Sequence, residues 1–227
     1  RGRVEGTLNR AEFDRDRITR MLLGTSAFPH VTRPKAVPEA KRAILEFRGA
    51  TADPSDSASG ICAVDLVVYA GEVHGIAGIA GNGQGELFSM LAGELAATEG
   101  AILFEGQPYS FRTSRQRIGF IPENSYGCGV APGLSVAQNL VLGRIGRRCF
   151  SNGWALVDRA AVRDAARRLV EDYEIKCAGI SVKVSTLSGG NLRKLVLARE
   201  LGGGPSLIVA ENPSAGLDVR AAARVHK

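Results

Sequence analysis

Residues Gly78-Ile-Ala-Gly-Asn-Gly-Gln-Gly85 carry the glycine spacing of a phosphate-binding loop, G-x4-G-K-[ST]. Gly78, Gly81 and Gly83, with Asn82 between them, let successive backbone N–H groups curl around an anion. A helix starting just after the loop adds partial positive charge. Two side chains break the pattern. Gln84 stands where a lysine would reach the outer phosphates, and Gly85 stands where a hydroxyl would meet Mg2+. Glu86 closes the run of candidate binding residues. Taken alone, the loop reads equally well as a glycine-rich turn that binds nothing.

Leu187-Ser-Gly-Gly-Asn191 is a second candidate, directly before the apolar run of 195–201. Ser188, Gly189 and Gly190 at a helix start present N–H groups and a hydroxyl along the helix dipole, the makings of an anion site. The plainer alternative is that Ser188 only caps its helix. Further on, SLIVAENPSAGLD (206–218) is an apolar run ending in Glu211 and Asn212 and followed by Asp218. Cys62, Cys128, Cys149 and Cys177 form no CxxC pair and have no nearby histidine, which excludes a zinc site or a disulfide framework. Idle or buried thiols in a reducing cytoplasm are expected.

These candidates need elements to hold them. Residues 43–48 and 62–69 read as strands, with the Asp/Ser/Gly-rich stretch 53–60 as the turn between them. VHGIAGI (73–79) reads as a buried strand leading into the glycine loop, and ELFSMLAGEL as the helix leaving it. Residues 101–104 and 117–121 are further strand candidates, and SLIVA (206–210) another. In 158–173, Asp158 is a cap, while Val162, Ala165, Ala166, Leu169, Val170 and Tyr173 recur at helical spacing. Helices are also expected from Ser188 and from Asp218. At the other end, 9–24 reads as a short amphipathic helix with an Asn9/Glu12 capping box, and 25–40, with three prolines, as linker. Strands alternating with helices predict an α/β layered domain.

Composition narrows the classes. The chain has 227 residues, enough for one domain and an extension, and its 44% hydrophobic and 23% charged fractions are those of a globular protein. No apolar run approaches the ~20 residues that span a bilayer, and no secretory signal opens the chain. It begins with Arg1, not Met, so a piece of a longer protein is expected. Of the net charge of +6, residues 1–48 carry +5 (11 basic, 6 acidic). A nucleic-acid-binding core would hold the basic excess itself, so no nucleic-acid partner is expected.

Glycine loop, LSGGN, apolar strand with its acid–amide–Pro end, and SAGLD occur in one order, and together they resemble the ATP-binding cassette family from about residue 43 to 227. Gly78–Gly85 falls on that family's Walker A loop, Leu187–Asn191 on its signature, Leu207–Glu211 on Walker B and Ser214–Asp218 on the D-loop. GIAGIAGNGQGEL, FIPEN (120–124), LSVAQNL and AENPSAGLDV are similar to the C-terminal cassette of double-cassette importers of simple sugars and nucleosides, the nucleoside type above all. Residues 1–8 are similar to the tail of a preceding cassette and 9–42 to the connector helix and linker. The resemblance implies a P-loop nucleotide hydrolase fold of the ABC ATPase type: a mixed sheet core, an antiparallel β edge and a helical subdomain at about 123–190. The cassette, 43–227, is expected to be C-terminally incomplete. His226 lies too near Asp218 for the family's switch histidine, and neither His30 in the linker nor His74 in a strand is assigned any chemistry.

The implied protein is the energising subunit of an importer, peripheral at the cytoplasmic face of the membrane. Its implied partners are the first cassette of the same or another chain, membrane permease subunits and, indirectly, an external substrate-binding protein. ATP is the implied cofactor, with Mg2+ at the partner site and doubtful at its own. Two competing readings are a soluble cassette acting on nucleic acid or ribosomes, and a regulatory pseudo-ATPase or scaffold outside transport. Departures from the motifs point to an asymmetric role. Besides Gln84 and Gly85, Glu211 replaces the metal-binding Asp, Asn212 the general-base Glu, and Glu123 the Q-loop Gln. An amide cannot accept the attacking water's proton. No aromatic follows the first strand to stack on adenine, since Phe47 lies within it. No residue is therefore assigned a catalytic role. The own site is expected to be non-hydrolytic, with weak nucleotide binding through backbone amides left open, while the intact signature completes the partner's site.

Overall fold

The apolar run at 43–52 becomes β1 (Ala43–Ala52), flanked on one side by β2 (Ile61–Tyr69) and on the other by β3 (Glu99–Phe104) and the short β4 (Gln107–Pro108). This antiparallel sheet has the order β2-β1-β3-β4, with Phe47 opposite Leu66 and Ile102. A second sheet pairs β5 (Ile118–Ile121) with β6 (Leu207–Ala210) in parallel, Ile118 opposite Leu207 and Ile121 opposite Ala210. A parallel pair needs a crossover, and three α-helices lie among the described residues between these strands. α1 (Gln84–Ala92) follows the glycine loop and α2 (Phe111–Ser114) precedes β5; in the crossover lie α3 (Val136–Val141), α4 (Arg159–Asp172) and α5 (Gly189–Leu201).

In this computed structural model the described residues are 4, 6–14, 17–18, 20–21, 42–52, 60–79, 81–144, 150, 157–213 and 215. The chain divides into two compact units, residues 1–35 with 217–227, and residues 36–216. In the first, a 3-10 turn (Arg10–Glu12) opens with the Asn9 N–H donating to Glu12 Oε2 at 3.0 Å, the expected capping bond. Residues 17, 18, 20 and 21 are helical. The linker 25–40, the turn at 53–59, Cys149, the helix expected from Asp218, and His30 and His226 lie outside the described residues.

Two apolar cores form in the second unit. One joins Ile44, Leu45 and Phe47 of β1 to Met90 and Leu91 of α1 and to Ile118 and Phe120 of β5. Phe88 meets Phe120 edge-on, with ring centroids 5.8 Å apart, and so docks α1 on β5. The other core joins Val136 and Leu140 of α3, Val162 and Ala166 of α4, and Leu195 and Ala198 of α5. α4 begins at Asp158, whose carboxylate accepts the N–H groups of Ala160 and Ala161.

The buried strand expected at 73–79 does not form. Residues 72–79 are irregular, Val73 is fully exposed (100%), and Ile76 and Ile79 are also exposed. A strand needs a ladder partner for its backbone groups, and no described strand pairs with this segment. Glycines at 75 and 78 weaken it further. His74 therefore sits in an irregular segment, not a strand, with Nδ1 3.0 Å from Glu72 Oε1.

Candidate functional site

The glycine loop turns into α1 through two left-handed residues, Gly81 (φ 89°) and Gly83 (φ 99°), a conformation open to glycine at no steric cost. Asn82 donates its N–H to Ile79 O at 3.2 Å. The Gln84 side chain does not project toward a ligand. It folds back into the loop, Nε2 donating to the same Ile79 carbonyl at 3.3 Å. A Cβ on Gly78 would collide with that amide nitrogen, so the glutamine fills the space the glycine frame opens. Gly85 faces open space, with nothing within 4 Å of where its Cβ would be. Glu86 lies in the first turn of α1, placing a carboxylate where an anionic ligand would approach.

Glu123, Glu211 and Asn212, far apart in sequence, meet at the ends of β5 and β6. β6 hands on to Glu211, whose N–H donates to Ile121 O at 2.9 Å. Glu211 Oε2 accepts the Glu123 N–H at 3.3 Å, and Glu123 Oε1 accepts Asn212 Nδ2 at 2.9 Å. Burial raises the Glu211 pKa, and the Glu123 charge adds to the rise against the opposing Glu123 N–H bond. Asn212 holds a left-handed backbone (φ 41°), which asparagine tolerates better than most residues. A divalent cation does not fit this set. Position 85 has no hydroxyl, one Glu211 oxygen already accepts the Glu123 N–H, and Glu123 Oε1 is held by the Asn212 amide.

At the second glycine-rich element, Ser188 occupies the N-cap of α5, but its side chain makes no capping bond to the helix. Its Oγ accepts from Asn191 Nδ2 at 2.9 Å, and Asn191 Oδ1 accepts the Lys176 N–H at 2.8 Å. Leu187 packs against the second core, and a Cβ on Gly189 would meet nothing within 4 Å. The plain capping reading of Ser188 is thus not what its side chain does. Gly190 is the second residue of α5, and Asp218 lies outside the described residues. Phe47 is buried within β1, as expected.

One residue here was not anticipated from sequence. Arg193, 3% exposed on α5, donates through Nη1 to Pro122 O, to Glu123 O (3.2 Å) and to Ser125 Oγ (2.8 Å). Through Nη2 it donates to Glu211 O (3.0 Å) and Asn212 O (2.7 Å), and through Nε to Pro213 O (3.4 Å). Burial lowers its pKa, and the charges of Glu123 and Glu211 oppose that. The available signal was a charge in a buried run: Arg193 and Glu200, seven residues apart, share one face of α5.

Comparison with known proteins bears on the family and the fold. The ABC transporter family profile matches residues 61–215. The ribose import ATP-binding protein RbsA 1 of Rubrobacter xylanophilus is 32% identical over all of this chain and 44% of its own length. The nucleoside import ATP-binding protein NupA of Lactococcus lactis is 30% identical over all of this chain and 45% of its own. The chain thus spans less than half the length of these relatives. A dimeric ATP-binding cassette in a post-hydrolysis state, bound to ADP and phosphate, shares the fold at a TM-score of 0.64 and 21% identity, covering 80% of this chain and 79% of that one.

Proposed function

Because the chain belongs to the ABC transporter family, we propose that it is a nucleotide-binding domain of an importer for nucleosides or simple sugars, with an own site that does not turn over ATP and a signature that completes a partner cassette's site. The relatives' names supply the substrate class. Members of the family hydrolyse ATP. Doing so needs neutralised phosphate charge, a metal ion and a base for the attacking water.

The observation that carries the reading is the 2.9 Å bond from Asn212 to Glu123. It occupies, with an amide and a carboxylate bound to each other, the positions where the family motif places a base and a γ-phosphate-sensing glutamine. Gln84, bonded to Ile79 O, supplies no cation at this site. The loop's backbone amides can still meet a phosphate when Gln84 turns away, so weak ATP binding fits the loop better than catalysis. Ser188 supports the other half of the reading: Asn191 holds Oγ, the residue is exposed, and Gly189 leaves space beside it.

The domains follow the same reading. Residues 1–8 end a preceding cassette, 9–42 connect, and 43–227 form the second cassette, with α3 and α4 in its helical subdomain of about 123–190. Among the described residues no helix is long and apolar enough to cross a membrane. Permease subunits would supply that passage, with this domain peripheral at the cytoplasmic face and an external binding protein delivering the substrate. In the assembled transporter, Ser188→Ala lowers ATP turnover on the order of 10²-fold, as loss of one preorganised donor does. Turnover that instead tracked substitutions at Gln84 or Asn212 would overturn the reading.

A further inference from the structure

We infer that Arg193 is a positioning residue for Ser188: it fixes the helix carrying the signature serine against the ends of β5 and β6, and does so through the loops that hold Glu123, Glu211 and Asn212. The inference rests on the reading of Ser188 as a group acting on a partner's nucleotide.

Arg193 lies five residues after Ser188 on α5, about 7.5 Å along the helix axis. Its six acceptors divide between two segments, Pro122, Glu123 and Ser125 after β5, and Glu211, Asn212 and Pro213 after β6. Five of the six are backbone carbonyls. A guanidinium has five N–H groups in one rigid plane, so bonding on both sides fixes how far the helix sits along the strands and how it is rotated. Apolar packing lacks that directionality, since the hydrophobic effect follows area alone. The rest of α5 could slide on Leu195, Val196 and Leu197, all buried.

A second anchor removes the remaining freedom. Glu200, two turns on, accepts the Phe120 N–H at 3.1 Å and is bound by Arg115 at 3.1 and 3.2 Å and by Arg199 at 2.7 Å. α5 is thus held to β5 at two heights by buried charges. Buried charges of this kind are seldom the most stabilising choice, and hydrophobic replacements of similar volume often serve stability as well. What they add is a unique register, and the group whose place that register sets is Ser188.

The test is a double-substitution cycle on the assembled transporter, both cassettes and permease together, measuring steady-state ATP hydrolysis. Arg193→Gln is expected to lower kcat tenfold or more, with KM for ATP within about threefold of wild type. Arg193→Lys, which keeps the charge but has three donors on a flexible stem, should fall between. If Arg193 acts through Ser188, the Ser188→Ala/Arg193→Gln double variant turns over no more than twofold slower than Ser188→Ala alone. Losses that multiply would mean that Arg193 holds the fold and nothing more, and would overturn the inference. So would a wild-type kcat for Arg193→Gln beside an impaired Ser188→Ala, or failure of both Arg193 variants to assemble. A wild-type rate for Ser188→Ala alone defeats the trans-acting reading first, an outcome distinct from the others.

Discussion

Two glycine-rich helix starts in this chain share glycines and a helix dipole, and their side chains set them apart. At α1 the loop folds on itself: Gln84 bonds Ile79 O, and the apolar segment before the loop, Val73 to Ile79, lies exposed with no described strand paired to it. At α5 the start is open outward: Asn191 holds the Ser188 hydroxyl, and the helix behind it is buried and pinned by Arg193 and Glu200. Both starts have the dipole and the glycines. What separates them is the side chain at the edge of the turn and the rigidity of the base beneath it. A glycine frame therefore shows where a phosphate could sit, while the neighbouring side chains decide whether one does.

The difference in rigidity is open to the largest test. Leu195 is fully buried (0% exposed) in the core under α5, whereas Val73 is fully exposed. Leu195→Ala is expected to cost about 3 kcal/mol, within the usual range for a buried leucine. Val73→Ala should change stability by less than about 0.5 kcal/mol, as exposed substitutions do. Urea unfolding of each variant, with unchanged m-values, gives both numbers. A loss above about 1 kcal/mol at Val73 would mean that 73–79 packs after all and would break the comparison.

Much of the fold was legible in the sequence, and the exceptions have one cause. β1, β2, β3, β5 and β6 fell on their apolar runs, α4 began at Asp158 because cap chemistry and helical periodicity are local signals, and α5 followed Ser188, whose side chain does not cap it. The failure at 73–79 is also instructive. An apolar run states that a segment can be a strand, but only a partner at ladder distance makes it one, and the local pattern does not contain the partner. At the candidate site the residue types were readable, so the lost lysine, hydroxyl and base could be named. Their contacts were not. The Asn212–Glu123 bond spans 89 positions and Arg193 reaches back as far as 71, and no window of sequence links such residues. Gln84 was readable as a missing cation but not as a plug, because its rotamer is set by Gly78 opposite.

If the α1 loop is closed by Gln84 rather than by its backbone, restoring two side chains should reopen it. Gln84→Lys removes the amide bond to Ile79 O and returns a cation, while Gly85→Thr returns the hydroxyl into open space. The double variant should bind ATP about tenfold tighter, on the order of 1.4 kcal/mol, measured by titration calorimetry as a shift in the weaker of the two binding events. Hydrolysis should not return with it, because Asn212 still offers no base. An unchanged Kd would show that the loop backbone itself is closed, which sharpens the contrast with α5.

The smallest effect separates the anchor of α5 from the end of β6 by pH. Burial opposes ionisation of Glu200, but Arg199, Arg115 and the Phe120 N–H outweigh it and hold its pKa below the usual range. Glu211 is shifted the other way, raised by burial and by the Glu123 charge. Linkage gives the two opposite signs. The stability Glu200 contributes is present above its unfolded pKa of about 4.3 and is lost as pH falls through the lower folded value. The contribution of Glu211 is present below about 4.3 and is lost as pH rises through its higher folded value. Glu200→Gln should therefore fall further behind wild type as pH goes from 4 to 7, beyond a constant loss from leaving Arg115 and Arg199 without their carboxylate. Glu211→Gln should gain on wild type over the same interval, and by less, since Glu211 is partly exposed and screened. Urea midpoints for the three proteins across that range decide it. Parallel slopes for the two variants would mean that the ends of β5 and β6 and the anchor of α5 share one electrostatic environment.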